Sequence, residues 1–347
     1  MNTPAPSGPM TRRRFLSLTA VAAAVTACGV PETAGSNGGK IKAATYLPPS
    51  YTDLFPPIQS FMKTAEQESG GALKFNMFHS ETLLSADQLV SGLLQGVADL
   101  VFQVSSYVSS SYPVLGVYEM PFVNGDVDAT QQALKPEGPL YDLINQQLGE
   151  QGMRLIASMP TTEEWIWTVD QPIHKPEDLA GLRLRTAGEV EGETVKALGG
   201  SPVSMSSSEV YQALQRKTID GLISYAGTIV SRDLQEIIRY GTVGRFGDYS
   251  VDAYVRKDWF DGLDPSSQQA LMAAGRTYWS KGTATQHRVV EQDFLPKIKK
   301  AGIELYEPTG AELKAFKHAT TSVYDWWRTQ VGSQALADRA LNMVKNA

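Results

Sequence analysis

Residues 208–223, SEVYQALQRKTIDGLI, lie without a gap over residues 87–102, DQLVSGLLQGVADLVF, at a constant offset of 121. Leu214 meets Leu93, Asp220 meets Asp99, and Ile223 meets Phe102. Each copy reads as an amphipathic helix, a tight turn and an aspartate that opens an apolar strand. One such pair also arises from common strand–helix architecture. Two units this far apart nevertheless fit two α/β lobes of related design. In sheets of that kind a ligand sits outside the strand ends, in the crevice between lobes.

Upstream of the second copy, residues 176–188 read PEDLAGLRLRTAG. Alternation over Leu182-Arg183-Leu184-Arg185 puts the leucines on one face of a strand and both arginines on the other. Arg185 closes this strand and opens onto a new helix. Its guanidinium offers a rigid bidentate fork for a carboxylate, and the helix N-terminus adds free N–H groups. Taken alone, the same residues also fit a surface strand with two solvated arginines.

The chain of 347 residues is long enough for two lobes with cores of ordinary size, and its hydrophobic fraction of 42% is that of a globular protein. Net charge is −6, and the only basic cluster is N-terminal, which gives nucleic-acid binding little support. The four histidines (His79, His174, His287, His318) are scattered and Cys28 is the sole cysteine, so no Cys/His metal cluster or cysteine triad can be assembled. No cofactor is expected. There is no GxSxG elbow, no HExxH, no Walker-type loop, and no SxxK accompanied by its partner motifs.

At the start, Thr11-Arg12-Arg13-Arg14-Phe15-Leu16 precedes a short apolar run from Leu18 to Ala27. That is the layout of a secretory signal, and the run is too short for a stable transmembrane helix. The arginines followed by Phe-Leu resemble a twin-arginine export signal. Val25-Thr26-Ala27-Cys28 resembles a bacterial lipobox, in which the cysteine is acylated and becomes the mature N-terminus. The alternative is a plain cleavage site beside a spectator cysteine. The Pro/Gly/Ser-rich stretch that follows suits a flexible tether. The expected organisation is a signal peptide at 1–27, a lipidated tether at 28–40, one lobe from 41–160 plus 248–285, and a second from 161–247 plus 286–347 with the C-terminal helices.

PEDLAGLRLR, GGSPVSM, SEVYQALQ and IDGL occur here in the order and spacing of the solute-binding proteins of TRAP transporters, the DctP-like family. The resemblance runs from about Ile41 to the C-terminus. It implies a two-lobed periplasmic-binding-protein-like α/β fold with a ligand cleft between lobes and a long lobe-spanning helix, here matched by the helical pattern from Asp264 to about Ala301. It also implies an extracytoplasmic receptor, anchored by lipid at Cys28, that closes on a small organic acid. Separate TRAP membrane subunits would receive the ligand. The receptor would be a monomer, and it would not be an enzyme.

By the same resemblance Arg185 pairs with the ligand carboxylate. Tyr46 and Ser105 are cleft liners from the first lobe, and Ser207, Ser224 and Tyr225 from the second. Trp165 and Trp167 share one face if their segment is extended, where they either pack the core or cover the ligand. The sequence departs from its relatives at three points. Trp165 stands where sialic-acid-binding members carry a second ligand-facing arginine, Ser224 replaces an amide, and Arg256 replaces an asparagine. The first two argue for a less polar contact surface, and Glu163 and Glu164 are expected to be solvated. A lipoprotein serving a sensor, or an exported enzyme on the same fold, are the competing readings.

Overall fold

The computed structural model describes residues 39–125 and 127–347. The expected export signal, the lipobox cysteine Cys28 and most of the tether lie outside the described residues.

Two sheets carry the fold. The first holds β1 (Ile41–Thr45), β2 (Phe75–Phe78), β3 (Leu100–Val104), β4 (Met153–Pro160) and a late strand, β10 (Ser250–Arg256), in the order β2-β1-β3-β10-β4. The second holds β5 (Trp165–Thr168), β6 (Arg183–Thr186), β7 (Ser201–Ser204), β8 (Gly221–Ser224), β9 (Tyr240–Thr242) and β11 (Glu304–Tyr306), in the order β11-β9-β5-β8-β6-β7. Each contains a trio of adjacent parallel strands, β2-β1-β3 in one and β7-β6-β8 in the other. An antiparallel strand flanks each trio: β10 beside β3, and β5 beside β8. The two lobes therefore share one plan, as the internal repeat predicts.

The repeat is visible atom by atom. Helices α2 (Leu89–Leu94) and α6 (Val210–Gln215) follow α1 (Phe55–Glu68) and α5 (Glu189–Ala197) in their lobes, with α3 (Val127–Ala133) and α4 (Pro139–Gly149) between. Both α2 and α6 end in the same hydrogen-bonded turn. Gly96 N–H donates to Leu93 C=O at 3.0 Å and Val97 N–H to Gly92 C=O at 2.8 Å, while Lys217 N–H donates to Leu214 C=O and Thr218 N–H to Ala213 C=O, each at 3.0 Å. That closure needs a left-handed residue, supplied by Gly96 (φ 76°) and Lys217 (φ 54°). Asp99 then receives Lys42 N–H at 2.9 Å and Asp220 receives Arg183 N–H at 2.8 Å, each pinning the start of a strand to its parallel neighbour.

The chain passes between sheets three times. Segments 161–164 and 246–249 run side by side: Thr161 N–H donates to Tyr249 C=O at 2.9 Å, Glu164 N–H to Gly247 C=O at 2.8 Å, and Phe246 N–H to Glu164 C=O at 3.1 Å. After α7 (Ala226–Ser231) and α8 (Lys257–Asp261) comes the third crossing, a long helix. Asp264 caps it, accepting from Ser266 and Ser267 N–H at 3.0 Å each, with Pro265 at the first position. The helix runs as α9 (Pro265–Val289), loosens into a π-turn over Val290–Phe294, and continues as α10 (Leu295–Lys300). Its first part packs on α1 and β4 of the first lobe, and its π-turn and α10 pack on α7 of the second. The long lobe-spanning helix is thus present. Of the remaining helices, α11 (Gly310–Ala319) begins with a capping box at Thr309 and Glu312. Next, α12 (Thr321–Val331) lies against α5, and α13 (Gln334–Lys345) lies against α3 and α4.

Lys217 is exposed and occupies the left-handed position that glycine fills in the other copy. Replacing Lys217 by glycine removes the Cβ conflict of that conformation and keeps the carbonyl that accepts from Arg183. The expected result is a gain of about 0.5–1 kcal/mol in unfolding free energy, read from denaturant melts.

Candidate functional site

Register across the second sheet decides which side chains face the other lobe. Arg185 pairs with Leu222 and with Val203, Leu222 pairs with Trp167, and Trp167 pairs with Gly241. Residues directly opposite one another point the same way, and residues two apart along a strand share a face. Arg185, Leu222, Ser224, Trp165 and Trp167 therefore lie on one face. Leu184, Ile166 and Ile223 lie on the other, where they form a separate apolar core with Phe246 and Phe316. The alternation read from the sequence is the one observed. Its two arginines fare differently. Arg183 is half-exposed and binds Asp220, Nη2 to Oδ1 at 2.8 Å. Arg185 is 2% exposed.

The Arg185 guanidinium makes no ion pair among the described residues. Its Nε donates to Met205 C=O at 3.0 Å and its Nη2 to Tyr107 Oη at 2.7 Å. Burial works against its charge, but Tyr107, Glu191 and Tyr46 outweigh that and hold its pKa above the usual value. Tyr107 comes from the first lobe, packs edge-on against Tyr46 with centroids 5.4 Å apart, and accepts from Ser207 N–H at 3.0 Å. Burial, then Tyr107 and Tyr51, push the Tyr46 phenol well above its ordinary pKa, with Arg232 and Arg185 opposing. The arginine therefore faces the tyrosines of the first lobe, with the buried Glu191 acting on it from its own lobe.

Further contacts tie the lobes together. Tyr225 Oη donates to Asp53 Oδ2 at 2.8 Å, and the hydroxyls of Tyr51 and Ser207 lie 3.3 Å apart. Arg232 Nε reaches Tyr51 Oη at 3.3 Å, and Ser50 Oγ donates to Ser231 C=O at 3.1 Å. Gly188, at the start of α5, approaches the first lobe so closely that a Cβ there would stand 2.2 Å from Ser106 O. These are the contacts of a closed cleft.

The structure brings Arg185, Tyr46, Ser207 and Tyr225 to this lobe interface. Trp165 and Trp167 lie on the same face of the second sheet as Arg185, with rings stacked at 5.3 Å and 23°. The Trp167 Nε1–H is used, donating to Ser224 C=O at 2.8 Å, whereas the buried Trp165 Nε1 has no hydrogen-bond partner. Ser224 Oγ bonds Thr228 Oγ1 at 2.9 Å. Ser105 is fully buried, and its Oγ accepts from Ser250 N–H at 3.2 Å.

One expectation is overturned. Glu164 is 1% exposed, not solvated, because the paired crossing segments fold it inward. Burial first, then Glu191 and Glu119, raise its pKa well above the carboxylate range. Glu163 is partly exposed, with Arg245 Nη1 at 3.8 Å. Sequence reasoning missed Tyr51, Asp53, Tyr107 and Arg232. None of the four stands in a motif, and they meet only when the lobes do. Arg256, unread from the sequence, donates from Nη1 to Leu93 C=O at 3.3 Å and so supports the turn after α2.

A family model described as bacterial extracellular solute-binding protein, family 7 (DctP), matches residues 45–330. The chain is 26% identical over 264 residues to the 2,3-diketo-L-gulonate-binding periplasmic protein YiaO of Escherichia coli, covering 75% of this chain and 78% of that protein. It is 24% identical over 282 residues to the C4-dicarboxylate-binding periplasmic protein DctP of Rhodobacter capsulatus, covering 80% and 83%. In fold it is similar to a TRAP periplasmic solute binding protein from Chromohalobacter salexigens with bound D-glucuronate, at a TM-score of 0.81 and 20% identity, covering 88% of this chain and 100% of that one.

Asp53, fully buried, has its pKa raised to about 7 by burial, against the opposing hydrogen bond from Tyr225. A carboxyl raised on folding contributes stability that is complete below its unfolded pKa and is lost as pH climbs through the folded one. That window runs from about pH 4 to about pH 7. Asp53→Asn should remove this contribution, so the thermal midpoint of the variant should gain on that of the parent as pH rises through the window. Parallel curves would refute the assignment.

Proposed function

The chain belongs to the bacterial extracellular solute-binding proteins of family 7, and from that membership we propose that it is the receptor of a TRAP-type transporter for a small organic acid. The observation that carries this reading is Arg185, a buried guanidinium with only neutral hydrogen-bond partners on the cleft-facing side of its sheet. A ligand carboxylate supplies the missing counter-charge. It replaces Tyr107 or adds to it, and binding in a cleft shut off from water strengthens the pair. Trp165 offers an unused indole N–H and an apolar face to the ligand body. Tyr46, Ser207 and Tyr225 complete the wall, with Ser105, Ser224 and Trp167 behind them.

Closure would be a hinge motion about the paired crossings 161–164 and 246–249, with the lobe of the first sheet, on which α13 rests, moving against the lobe of the second. The relatives named above bind, by their names and titles, a diketo sugar acid, C4-dicarboxylates and a uronate. All carry carboxylates, as the Arg185 clamp requires. The receptor acts as a monomer without cofactor and without catalysis, and it hands the acid to separate membrane subunits. Among the described residues no helix is long and apolar enough to cross a membrane. Anchoring falls to Cys28, acylated after twin-arginine export, and Cys28→Ser is expected to move the protein from the membrane fraction to the soluble one.

The central test is a thermal-shift and calorimetric screen against aliphatic dicarboxylates, 2-keto acids, sugar acids and aromatic acids. Truncating one partner of a buried charge pair costs about 2–5 kcal/mol, so Arg185→Ala should weaken the best acid by about 30-fold to several thousand-fold. Arg183→Ala, whose side chain binds Asp220 outside the cleft, should change affinity little. Undiminished binding in Arg185→Ala would sink the clamp.

A further inference from the structure

Arg232 follows the last residue of α7 and is partly buried between the lobes. Its Nε donates to Tyr51 Oη at 3.3 Å and its Nη2 to Ser207 Oγ at 3.1 Å, and the guanidinium lies over the Tyr51 ring, 5.3 Å from its centroid. All of these partners are neutral. Like Arg185, Arg232 makes no ion pair among the described residues.

The two arginines are joined by a short chain of hydrogen bonds. Arg185 Nη2 donates to Tyr107 Oη, Ser207 N–H donates to the same oxygen at 3.0 Å, and Ser207 Oγ receives Arg232. Both cations thus face one group of tyrosines. Of the nearby acids, Glu191 acts on Arg185 while its Oε2 receives Ala187 N–H at 2.6 Å, and Asp53 Oδ2 receives the Tyr225 hydroxyl; the groups acting on Arg232 are the tyrosines Tyr51, Tyr46 and Tyr107. Two guanidiniums joined by one chain of hydrogen bonds repel one another, and a ligand with a single negative charge placed on Arg185 leaves Arg232 facing only tyrosine and serine hydroxyls.

We propose that Arg232 is a specificity-determining residue that holds a second anionic group of the same ligand, so that the cleft selects doubly charged acids over monoanions of equal size. This rests on Arg185 as the first clamp. It also changes what Trp165 implies. The second arginine that sialic-acid-binding relatives carry at that position is missing, but a guanidinium reaches the cleft region from the end of α7. A competing role for Arg232 is a plain latch, closing the lobes through Tyr51 whatever the ligand.

Calorimetric titration of the purified protein separates these roles. The probes are succinate, glutarate and adipate, each against its own monoamide. The selective reading expects the diacid of the preferred length to bind about ten-fold or more tighter than its monoamide. In Arg232→Gln that ratio should collapse to within about three-fold of unity, and Arg232→Lys, which keeps the charge, should retain most of it. A latch predicts equal weakening of diacid and monoamide in Arg232→Gln, leaving the ratio intact. That result, or a ratio near one in the parent protein, overturns the proposal. Arg185→Ala should abolish binding of both series. If it does not, while the ratio still follows Arg232, the first clamp is wrong and the second stands. Failure of every acid to bind overturns both.

Discussion

A guanidinium removed from water without a counter-ion is the constraint on which the closed cleft depends. Desolvating an isolated charge is expensive, and neutral hydrogen-bond acceptors recover only part of what bulk water gives. Arg185 is held by a backbone carbonyl and by one phenol from the opposite lobe. In the proposed receptor a ligand carboxylate would supply the direct ion pair that these partners do not. That is what a receptor requires, since a cleft that shuts tightly on nothing would have no free energy left to respond to its ligand.

The surrounding architecture keeps the arginine's position narrow. Parallel strands on both sides fix β6, and Asp220 ties the start of that strand to the turn after α6. From the other lobe, Tyr46 follows the end of β1 and Tyr107 lies in the turn after β3. Gly188 lets the backbones of the two lobes come within contact distance beside them. The crossings at 161–164 and 246–249 hydrogen-bond to each other, so they form a two-stranded ribbon and not two loose links. The π-turn in the long helix falls where its packing passes from β4 and α1 to α7. Such turns loosen the helical ladder locally.

Much of this was legible in the sequence because it is local and periodic. The offset repeat anticipates two matching lobes, and the alternation of LRLR sets the face on which Arg185 stands. The helical pattern read from Asp264 marks a helix start that the structure reproduces. What escaped was long-range. Tyr51 and Tyr107 reach Arg232 and Arg185 across 181 and 78 residues of chain, and no spacing rule links them. Arg232 ends a short helix with no pattern of its own. Glu164 looked like half of a solvated acidic pair, because its burial comes from a partner segment more than 80 residues downstream. The buried arginine could be read from a strand, but its surroundings could not.

The exchange of strands between the two sheets bears on how such a chain acquires its shape during synthesis. β10 lies between β3 and β4, so the first sheet lacks an interior member until residues beyond 250 have emerged from the ribosome. β5 is made just after β4 yet joins the other sheet, and β11 completes that sheet only near the end of the chain. Neither lobe is a contiguous segment, and neither can mature as an autonomous unit while the chain is still growing. Loop closure over such separations makes folding slow and keeps strand edges exposed in the meantime. The nascent protein thus reaches its native pairing late, and any cut between the lobes leaves two pieces that each lack part of their own core.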